Sequence, residues 1–347
     1  MIQDARFLRA EFVPSEVVHR DAEVNHLSSV LDPLTRGEPA DTALLTGPTG
    51  SGKTCIARFT VNELRQENLD VESVYVNCWE DHTRFKALYR ILDEIERTID
   101  IHRQSTPRDV LLERLREHEE VPCVVIFDEV DQLEDKGILY DLNRLPQYSL
   151  ILIVNREEEL FAGIDDRLAS RLRGSERIRF NRYKIDQLVD ILQERAKHAL
   201  VPNAVEESGL ELIADGASGD ARVAITTLRI AARHAEQGAT DRITEDIIEN
   251  AVPEARQELR QKNIEALTPH QRAVYDVIEE HGEIAPGDLY QEYRNHVEDP
   301  KADRTIRNYL NKLEQYNLIT AEGSTRDRVY RCVGPATVSD NETEYVG

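Results

Sequence analysis

The chain has 347 residues, enough for two or three domains, and its hydrophobic content of 40% supports packed cores. No stretch approaches the roughly 18 apolar residues of a membrane span, and residues 1–6 lack the apolar core of a signal peptide. The four cysteines are scattered without a C-x-x-C pair, which argues against a zinc site or a disulfide framework. We therefore expect a cytoplasmic protein.

The formal net charge of −23 is the most unusual feature of the composition. Taken alone it disfavours nucleic acid as a ligand, because binding to phosphates requires a basic surface. The acidic residues are spread over predicted exposed faces, lysine is sparse, and arginine supplies most of the positive charge. We favour a protein of a salt-loving cell, in which high salt screens the repulsion between the acids.

Strand and helix patterns alternate in the first half of the chain. Apolar runs at residues 42–46, 73–78, 122–127 and 149–154, with a shorter run at 177–180, are separated by helical patterns. This alternation predicts an α/β fold with a parallel sheet covered on both faces. From residue 185 onward only helices are predicted, at 186–200, 206–215, 221–237 and 244–252, which marks a second, all-α domain.

The last third of the chain has a different pattern. Residues 257–265 are polar and either helical or linking, and three helical patterns follow at 269–280, 286–296 and 301–316. Two short strands at 318–320 and 328–330 complete the pattern of a winged helix. We divide the chain into a nucleotide-binding base (1–183), a helical lid (184–257), a winged-helix domain (258–333) and an acidic tail (334–347) that we expect to be disordered.

A phosphate-binding loop follows the first predicted strand. Residues 47–54 read Gly47-Pro48-Thr49-Gly50-Ser51-Gly52-Lys53-Thr54, the G-x-x-x-x-G-K-[ST] pattern, before a helical pattern that opens at Cys55. The glycines let backbone N–H groups converge on phosphate oxygens, and the helix N-terminus adds partial positive charge. Lys53 reaches the terminal phosphates, and the Thr54 hydroxyl is available to Mg²⁺. We predict that these eight residues and Cys55 bind ATP or ADP.

Polar side chains follow the third and fourth predicted strands. Asp128 ends the third strand, where it can hold Mg²⁺ directly or through water, and the adjacent Glu129 can deprotonate the attacking water. Asn155 follows the fourth strand, where its amide can bridge that water and the γ-phosphate. The sequence therefore predicts an ATP-hydrolysing site at this edge of the sheet.

Three arginines are further candidates for phosphate contacts. Arg167 and Arg171 lie four residues apart on one predicted helical face, where they can stabilise γ-phosphate charge at a neighbouring subunit's site or pair with nearby acids. In the lid, Asp220 is a candidate N-cap, and Arg222 lies in the first turn of the same helix. An arginine at a helix N-terminus is unfavourable unless it faces an anion, so we expect one beside Arg222.

The helix predicted at 301–316 has an apolar stripe and an opposite polar face. The candidate DNA-binding residues on the helix are Arg304, Thr305, Arg307, Asn308, Asn311 and Lys312, and the ribbon that follows adds Arg326, Arg328 and Arg331. Arginine and asparagine at this spacing can reach base edges in a major groove. Local positive charge in so acidic a chain favours double-stranded DNA over protein docking, and predicts a nucleoid-associated protein.

These elements in this order resemble the AAA+ ATPases, and more narrowly the archaeal replication initiators of the origin-recognition-complex (Orc/Cdc-type) family. The stretches that carry the resemblance lie at residues 12–14, 19–23, 76–78, 127–131, 139–140, 180–183, 191–196 and 219–222, together with the phosphate-binding loop. The resemblance implies a winged helix that binds origin DNA, slow ATP hydrolysis as a switch, and help in loading a replicative helicase. It also implies self-assembly or assembly with paralogues on DNA.

The resemblance also assigns roles to residues that no local pattern identifies. It implies that Val13 and Pro14 lie near the adenine, that Tyr183 and Arg195 contact the nucleotide, and that Arg222 is the phosphate sensor of the lid.

The chain departs from the family pattern at two positions. Val154 stands where the family usually has a serine before the sensor asparagine, and Arg171 stands where it often has another serine. The second departure leaves open whether Arg167 or Arg171 acts as the finger.

Two other functions fit the same elements. One is an AAA+ winged-helix motor for branch migration, which would form a hexamer and hydrolyse ATP rapidly. The other is a DNA-binding regulator that keeps the nucleotide as a structural ligand without hydrolysing it, although the intact Glu129 argues against this role. The DNA sequence recognised, the choice between a chromosomal and a plasmid origin, and the oligomeric state stay open.

Overall fold

The structure is a computed structural model that describes residues 1–67, 70–98, 101, 107–118, 121–162, 164–324 and 327–334. Contacts divide the chain into two units that meet at residues 248 and 249. The predicted bounds of base, lid and winged helix stay predictions, and the predicted disorder of the tail concerns residues that, apart from Gly334, lie outside those described.

The first unit is built on a parallel sheet. Its strands are β1 (Ala43–Thr46), β2 (Glu72–Asn77), β3 (Cys123–Asp128), β4 (Tyr148–Val154) and β5 (Glu176–Arg179), in the order β2-β3-β4-β1-β5. All residues of β1, β3 and β4 are buried, as expected for strands covered on both faces. The predicted parallel α/β sheet is confirmed.

Helices cover both faces of this sheet. The α-helices are α1 (Asp21–Leu31), α2 (Lys53–Glu67), α3 (Arg84–Glu94), α4 (Arg108–Glu117), α5 (Gly137–Leu142), α6 (Glu157–Phe161) and α7 (Asp166–Arg173). Short 3-10 helices lie at Ala5–Leu8, Asp32–Arg36 and Val130–Gln132. Because successive strand residues point to opposite faces, Ile126 packs with α1 and α2, whereas Phe127 packs with α3, α4 and α5.

Four helices follow the sheet. They are α8 (Ile185–Ala199), α9 (Glu207–Gly216), α10 (Ala221–Gln237) and α11 (Glu245–Glu265). The predicted helix at 244–252 and the segment 257–265, left as helical or linking, are parts of the single helix α11, which continues through Pro253. Proline removes one backbone donor but has a φ angle that a helix accepts. No helix in the described ranges combines the length and the apolar composition needed to cross a membrane.

The second unit contains a winged helix. Its elements are α12 (Pro269–His281), β6 (Glu283–Ile284), α13 (Pro286–His296), α14 (Asp303–Gln315), β7 (Ile319–Glu322) and β8 (Val329–Cys332). The three strands pair antiparallel in the order β6-β8-β7. The predicted winged helix is confirmed, with the additional strand β6. Two residues are too few for a period-2 pattern, so the sequence did not reveal this strand.

We expect Ile151→Ala to destabilise the first unit by about 2–5 kcal/mol, because it leaves a cavity in the central strand β4. Ile151 is 0% exposed and lies opposite Ala43 and Ile126 in the neighbouring strands. Ile185→Ala is the matched control, since Ile185 is 50% exposed and its loss should change stability by less than about 0.5 kcal/mol. Urea denaturation at constant salt measures both changes. Equal losses in the two variants would contradict the assigned core.

Candidate nucleotide site and nucleic-acid interface

The phosphate-binding loop connects β1 to α2 through backbone conformations that suit glycine. Gly47, Gly50 and Gly52 have φ angles of 147°, 74° and 96°, which L side chains rarely adopt. A Cβ atom on Gly47 would lie only 2.2 Å from the carbonyl oxygen of Phe180. All three glycines therefore adopt φ angles that favour glycine, and Gly47 is also held by the close approach of the segment that follows β5.

Lys53 lies at the centre of the loop. Its side chain is 7% exposed, and Nζ donates to the carbonyl oxygens of Gly47 at 2.6 Å and Pro48 at 2.9 Å. It also donates to Oδ1 of Asn155 at 3.1 Å. Because β1 and β4 are adjacent and parallel, the residues after their carboxyl ends meet at one edge of the sheet. The structure thus brings together the predicted phosphate-binding lysine and the predicted sensor asparagine.

Thr54 and Asp128 are in direct contact. The Thr54 hydroxyl donates to Oδ2 of Asp128 at 2.8 Å, and the Tyr75 hydroxyl donates to the same oxygen at 2.7 Å. Burial raises the pKa of Asp128, with a further contribution from Glu129, whereas these hydrogen bonds favour its charged form. Sequence reasoning missed Tyr75. The only feature of the sequence that could have indicated it is a hydroxyl-bearing side chain on β2, the strand next to β3, which ends in the acidic motif.

Mg²⁺ fits the oxygens that the structure places here. The ion commonly takes one or two protein oxygens and completes its shell with water and phosphate oxygens. The Thr54 hydroxyl and the Asp128 carboxylate both line the same cavity, and they are such a pair. The described residues contain no cluster of three or more His, Cys, Asp or Glu side chains suited to a metal, and a nucleotide-bound Mg²⁺ needs none.

Glu129 adopts a strained conformation at the end of β3. Its φ angle is 56°, in the left-handed region that non-glycine residues seldom occupy. Such strain commonly costs about 1–3 kcal/mol and concentrates at functional sites. Glu129 lines the cavity beside Asp128 and Asn155, where the sequence predicts a water-activating carboxylate.

One cavity of about 370 Å³ collects most of the predicted nucleotide residues. Its wall includes Pro14, Thr49, Gly50, Ser51, Gly52, Lys53, Thr54, Cys55, Asp128, Glu129, Asn155, Tyr183, Arg195 and Arg222. Gly47, Pro48 and Val13 are not part of this wall, although the first two accept hydrogen bonds from Lys53. Sequence reasoning missed Phe7, Ala10, Ile191, His198 and Ile225, which also belong to the cavity wall and are mostly apolar.

The lid touches the phosphate-binding loop through the start of α10. Asp220 is the N-cap, as predicted, and accepts hydrogen bonds from the backbone N–H groups of Arg222 at 2.8 Å and Val223 at 3.3 Å. The Ala221 N–H donates to the Gly50 carbonyl oxygen at 3.1 Å. Nη2 of Arg222 lies 3.3 Å from Oδ2 of Asp220. The anion that Arg222 faces in the structure is therefore the carboxylate of its own helix cap.

Tyr183 joins the hinge of the lid to the loop. A Cβ atom on Gly52 would lie 2.4 Å from the Tyr183 hydroxyl oxygen, and burial raises the pKa of Tyr183. The guanidinium of Arg20 lies 4.2 Å from the centroid of the tyrosine ring and donates to the Asn181 carbonyl oxygen at 2.5 Å. Arg20 has an unusual φ of 76° and was known from the sequence only as part of the family resemblance.

Arg167 and Arg171 lie on α7 with exposed side chains, and neither lines the cavity. Arg171 donates to Oδ1 of Asn143 at 3.3 Å and lies 5.2 Å from the centroid of the Tyr140 ring. Among the described residues, the partners of Arg171 are thus an amide and an aromatic ring rather than the nearby acids. The finger role remains a prediction that concerns a neighbouring subunit.

The polar face of α14 is the candidate nucleic-acid interface of the second unit. Arg304, Arg307, Asn308 and Asn311 are exposed, and Thr305 is partly exposed. The prediction that Lys312 shares this face is wrong, because its side chain is 4% exposed and Nζ lies 4.9 Å from the centroid of the Tyr316 ring. The last turn of the helix packs against Tyr316, and the lysine stem is buried with it.

The arginines of the ribbon are paired with acids. Nη2 of Arg328 lies 3.2 Å from Glu314, and Nε of Arg331 donates to Glu283 at 2.8 Å. Arg331 also lies 3.2 Å from Glu322. The positive charge predicted on the ribbon is therefore offset by neighbouring acids at these two residues. Arg326 lies outside the described residues.

Comparisons with known proteins agree with this architecture. A family model described as an AAA domain matches residues 36–160, and a model described as a Cdc6 AAA+ ATPase-type lid domain matches residues 189–253. The Aeropyrum pernix ORC1 protein, solved in complex with DNA, is similar with a TM-score of 0.73 and 26% identity. The match covers 97% of this chain and 94% of that chain.

Two curated relatives from Halobacterium salinarum are much more similar in sequence. ORC1-type DNA replication protein 9 is 56% identical over 333 residues, which cover 96% of this chain and 94% of the relative. ORC1-type DNA replication protein 1 is 56% identical over 308 residues, which cover 89% of this chain and 100% of the relative. Identity at this level across nearly the whole of both chains shows that the protein belongs to the ORC1-type family of AAA+ DNA replication proteins.

Proposed function

We propose that the protein binds ATP, recognises double-stranded origin DNA, and helps to load a replicative helicase, with slow ATP hydrolysis as the switch. The observation that carries this proposal is a single cavity that contains the phosphate-binding loop, the acidic pair after β3, the asparagine after β4 and the lid arginine. These are the parts that phosphoryl transfer requires: phosphate ligands, a metal-binding carboxylate and a group that orients water.

The loop end of the cavity is suited to the phosphates of ATP or ADP. The backbone N–H groups of residues 49–54 lie at the N-terminus of α2, where the helix dipole favours negative charge. Lys53 already donates to three protein oxygens, two carbonyl and one amide. Phosphate oxygens would replace these acceptors, and little water would have to be removed from the lysine. Mg²⁺ bound to Thr54 and Asp128 would neutralise charge on the terminal phosphates.

Hydrolysis would be coupled to the lid through Arg222. The arginine is paired with Asp220, and both residues belong to the turn that contacts the Gly50 carbonyl. A γ-phosphate competes with the Asp220 carboxylate for this guanidinium, so the position of α10 would depend on which nucleotide is bound. Glu129 would deprotonate the attacking water while Asn155 orients it.

The exposed face of α14 is the proposed DNA-reading surface. Arg304, Arg307 and Asn308 present donors suited to base edges, and the A. pernix relative was solved with DNA. The net charge of −23 makes long-range attraction to DNA weak, so we expect binding to depend on base contacts and little on salt. A salt-adapted surface is in keeping with relatives from Halobacterium salinarum.

The two alternative functions, a branch-migration motor and a regulatory paralogue, differ in the rate of ATP hydrolysis that they require of this site. A branch-migration motor would turn over ATP rapidly in a hexamer, and a regulatory paralogue would bind nucleotide and DNA without hydrolysis. The strained placement of Glu129 beside the cavity supports a hydrolysing enzyme over the regulator. We propose self-assembly or assembly with paralogues on DNA, in which Arg167 or Arg171 would reach a neighbouring nucleotide.

Lys53→Ala should weaken ATP binding at least about tenfold, because it removes charged hydrogen bonds to phosphate that are each worth about 1.5–3 kcal/mol. Titration calorimetry with ATP measures the change. Lys86→Ala is the matched control, since Lys86 is exposed on α3 and outside the cavity wall. Unchanged ATP affinity in a folded Lys53→Ala protein would refute phosphate binding at this loop.

Glu129→Gln should keep ATP affinity and lose hydrolysis by about 10²-fold or more, as expected when a general base is removed. Phosphate release under saturating ATP measures the rate. The control is Glu134→Gln, because the Glu134 side chain is 54% exposed and does not line the cavity. Hydrolysis by Glu129→Gln at the parent rate would show that another group activates the water.

Arg307→Ala should cost about 1–3 kcal/mol at a specific origin site, as a lost base contact does. Arg328→Ala should cost less and affect specific and scrambled duplexes equally, since Arg328 is already paired with Glu314. Fluorescence anisotropy with both duplexes in molar KCl measures these effects, and Arg272→Ala on α12 is the surface control. Equal affinity of the parent for both duplexes would favour protein docking over sequence reading.

A further inference from the structure

Residues 1–12 form a strap that packs against the lid helices α8 and α10. Ile2 pairs with Leu200, and the Gln3 N–H donates to the Ala199 carbonyl oxygen at 2.7 Å, so the strap is hydrogen-bonded to the C-terminal end of α8. The 3-10 helix Ala5–Leu8 follows, and the side chain of Leu8 is 1% exposed. The strap is therefore docked on the lid, although it lies far from the lid in sequence.

The strap forms part of the cavity wall. Phe7 and Ala10 belong to this wall together with the lid residues Ile191 and Ile225. With phosphates held at residues 49–54, these apolar side chains are among the surfaces that the wall offers to the base of a bound nucleotide. The Phe7 ring stacks on His198 with centroids 4.8 Å apart and contacts the Phe12 ring at 4.7 Å.

Arg195 connects the strap to α8. Its side chain is 7% exposed, and its guanidinium donates to the backbone carbonyl oxygens of Phe7 at 3.2 Å and Phe12 at 3.0 Å. The same guanidinium lies 5.5 Å from the centroid of the Phe12 ring. A planar guanidinium holds its N–H donors in a fixed fork, so two of them can donate to separate carbonyls at once. Burial lowers the pKa of Arg195, and the carbonyl oxygens replace part of its lost hydration.

We propose that Arg195 is a positioning residue that acts on the nucleotide through the strap: by tying the carbonyls of Phe7 and Phe12 to α8, it holds the base-binding end of the cavity closed. This inference rests on the proposed nucleotide binding. Arg195 itself lines the cavity, and the inference assigns its effect to the strap rather than to the direct nucleotide contact that the family resemblance implied. The inference also predicts that Phe12 affects nucleotide binding, although Phe12 contacts Arg195 and Phe7 and is not part of the cavity wall.

The test is a double-mutant cycle in the full-length chain. Arg195→Gln and Phe12→Ala, singly and together, are titrated with ATP and with inorganic tripolyphosphate, which has no base. Arg242→Gln is the matched control, because Arg242 is an exposed arginine that pairs with Glu206 away from the cavity. Circular dichroism and thermal melting confirm that each variant is folded.

Each single variant should bind ATP about tenfold more weakly, and the double variant should be no weaker than the weaker single variant. Affinity for tripolyphosphate should stay within about twofold of the parent, because the proposal places the phosphates at residues 49–54 and the base against the strap. Arg195→Lys keeps the charge and should show an intermediate loss, and it keeps the cycle informative if Arg195→Gln does not fold.

If the fold-losses of ATP affinity in the two single variants multiply in the double variant, Arg195 acts independently of the strap, and the inference is overturned. Equal weakening of ATP and tripolyphosphate by Arg195→Gln would also overturn it, since the arginine would then act at the phosphates. ATP affinity equal to that of the parent in both Arg195→Lys and Phe12→Ala would likewise overturn the inference. A parent protein that binds no ATP would instead refute the proposed function, which distinguishes the two failures.

Discussion

The meeting of the carboxyl ends of adjacent parallel strands at one edge of the sheet is the constraint on which the site depends. The order β3-β4-β1 places Asp128, Asn155 and the phosphate-binding loop side by side, although they are separated by up to about a hundred residues in the sequence. The loop can pack so tightly only because Gly47, Gly50 and Gly52 accept backbone angles or contacts that a Cβ would prevent. The sheet supplies the chemistry at one end of the cavity, and the rest of the unit encloses it.

The lid and the strap both contribute to the cavity wall. Beside the loop, Asp220 caps α10 and pairs with Arg222, so on the proposed function a bound phosphate would compete with an acid that is already present. At the strap, Arg195 connects residues 7 and 12 to α8 through backbone carbonyls. Each of these two contacts involves an arginine, Arg222 or Arg195, and the contact at Arg195 joins segments that are distant in sequence. On the proposed function, a bound nucleotide would alter the contacts of Arg222 directly and those of Arg195 through the cavity wall. Nucleotide binding and lid position are therefore expected to be thermodynamically linked.

In the second unit, the distribution of charge matters more than its total. The ribbon arginines Arg328 and Arg331 are paired with acids of neighbouring elements, whereas Arg304 and Arg307 on α14 are exposed on the same face as Asn308. On the proposed function, such pairing in an acidic chain would limit non-specific attraction to phosphates and would leave recognition to the helix face. This arrangement suits discrimination between DNA sequences in high salt, where phosphate contacts are weak and base contacts are less affected.

The sequence alone determined the features that local pattern encodes. Hydrophobic periodicity revealed the parallel sheet, the helices and the winged helix, and the loop motif identified Lys53 and Thr54, because these signals repeat or lie within a few residues. Tertiary structure decided what depends on distant partners: that Tyr75 donates to Asp128, that Lys312 is buried against Tyr316, that Arg222 faces Asp220, and that Arg195 holds the strap. The neighbours of a side chain are set by packing between elements. Helical spacing in the sequence predicts only the face of the helix on which the side chain lies.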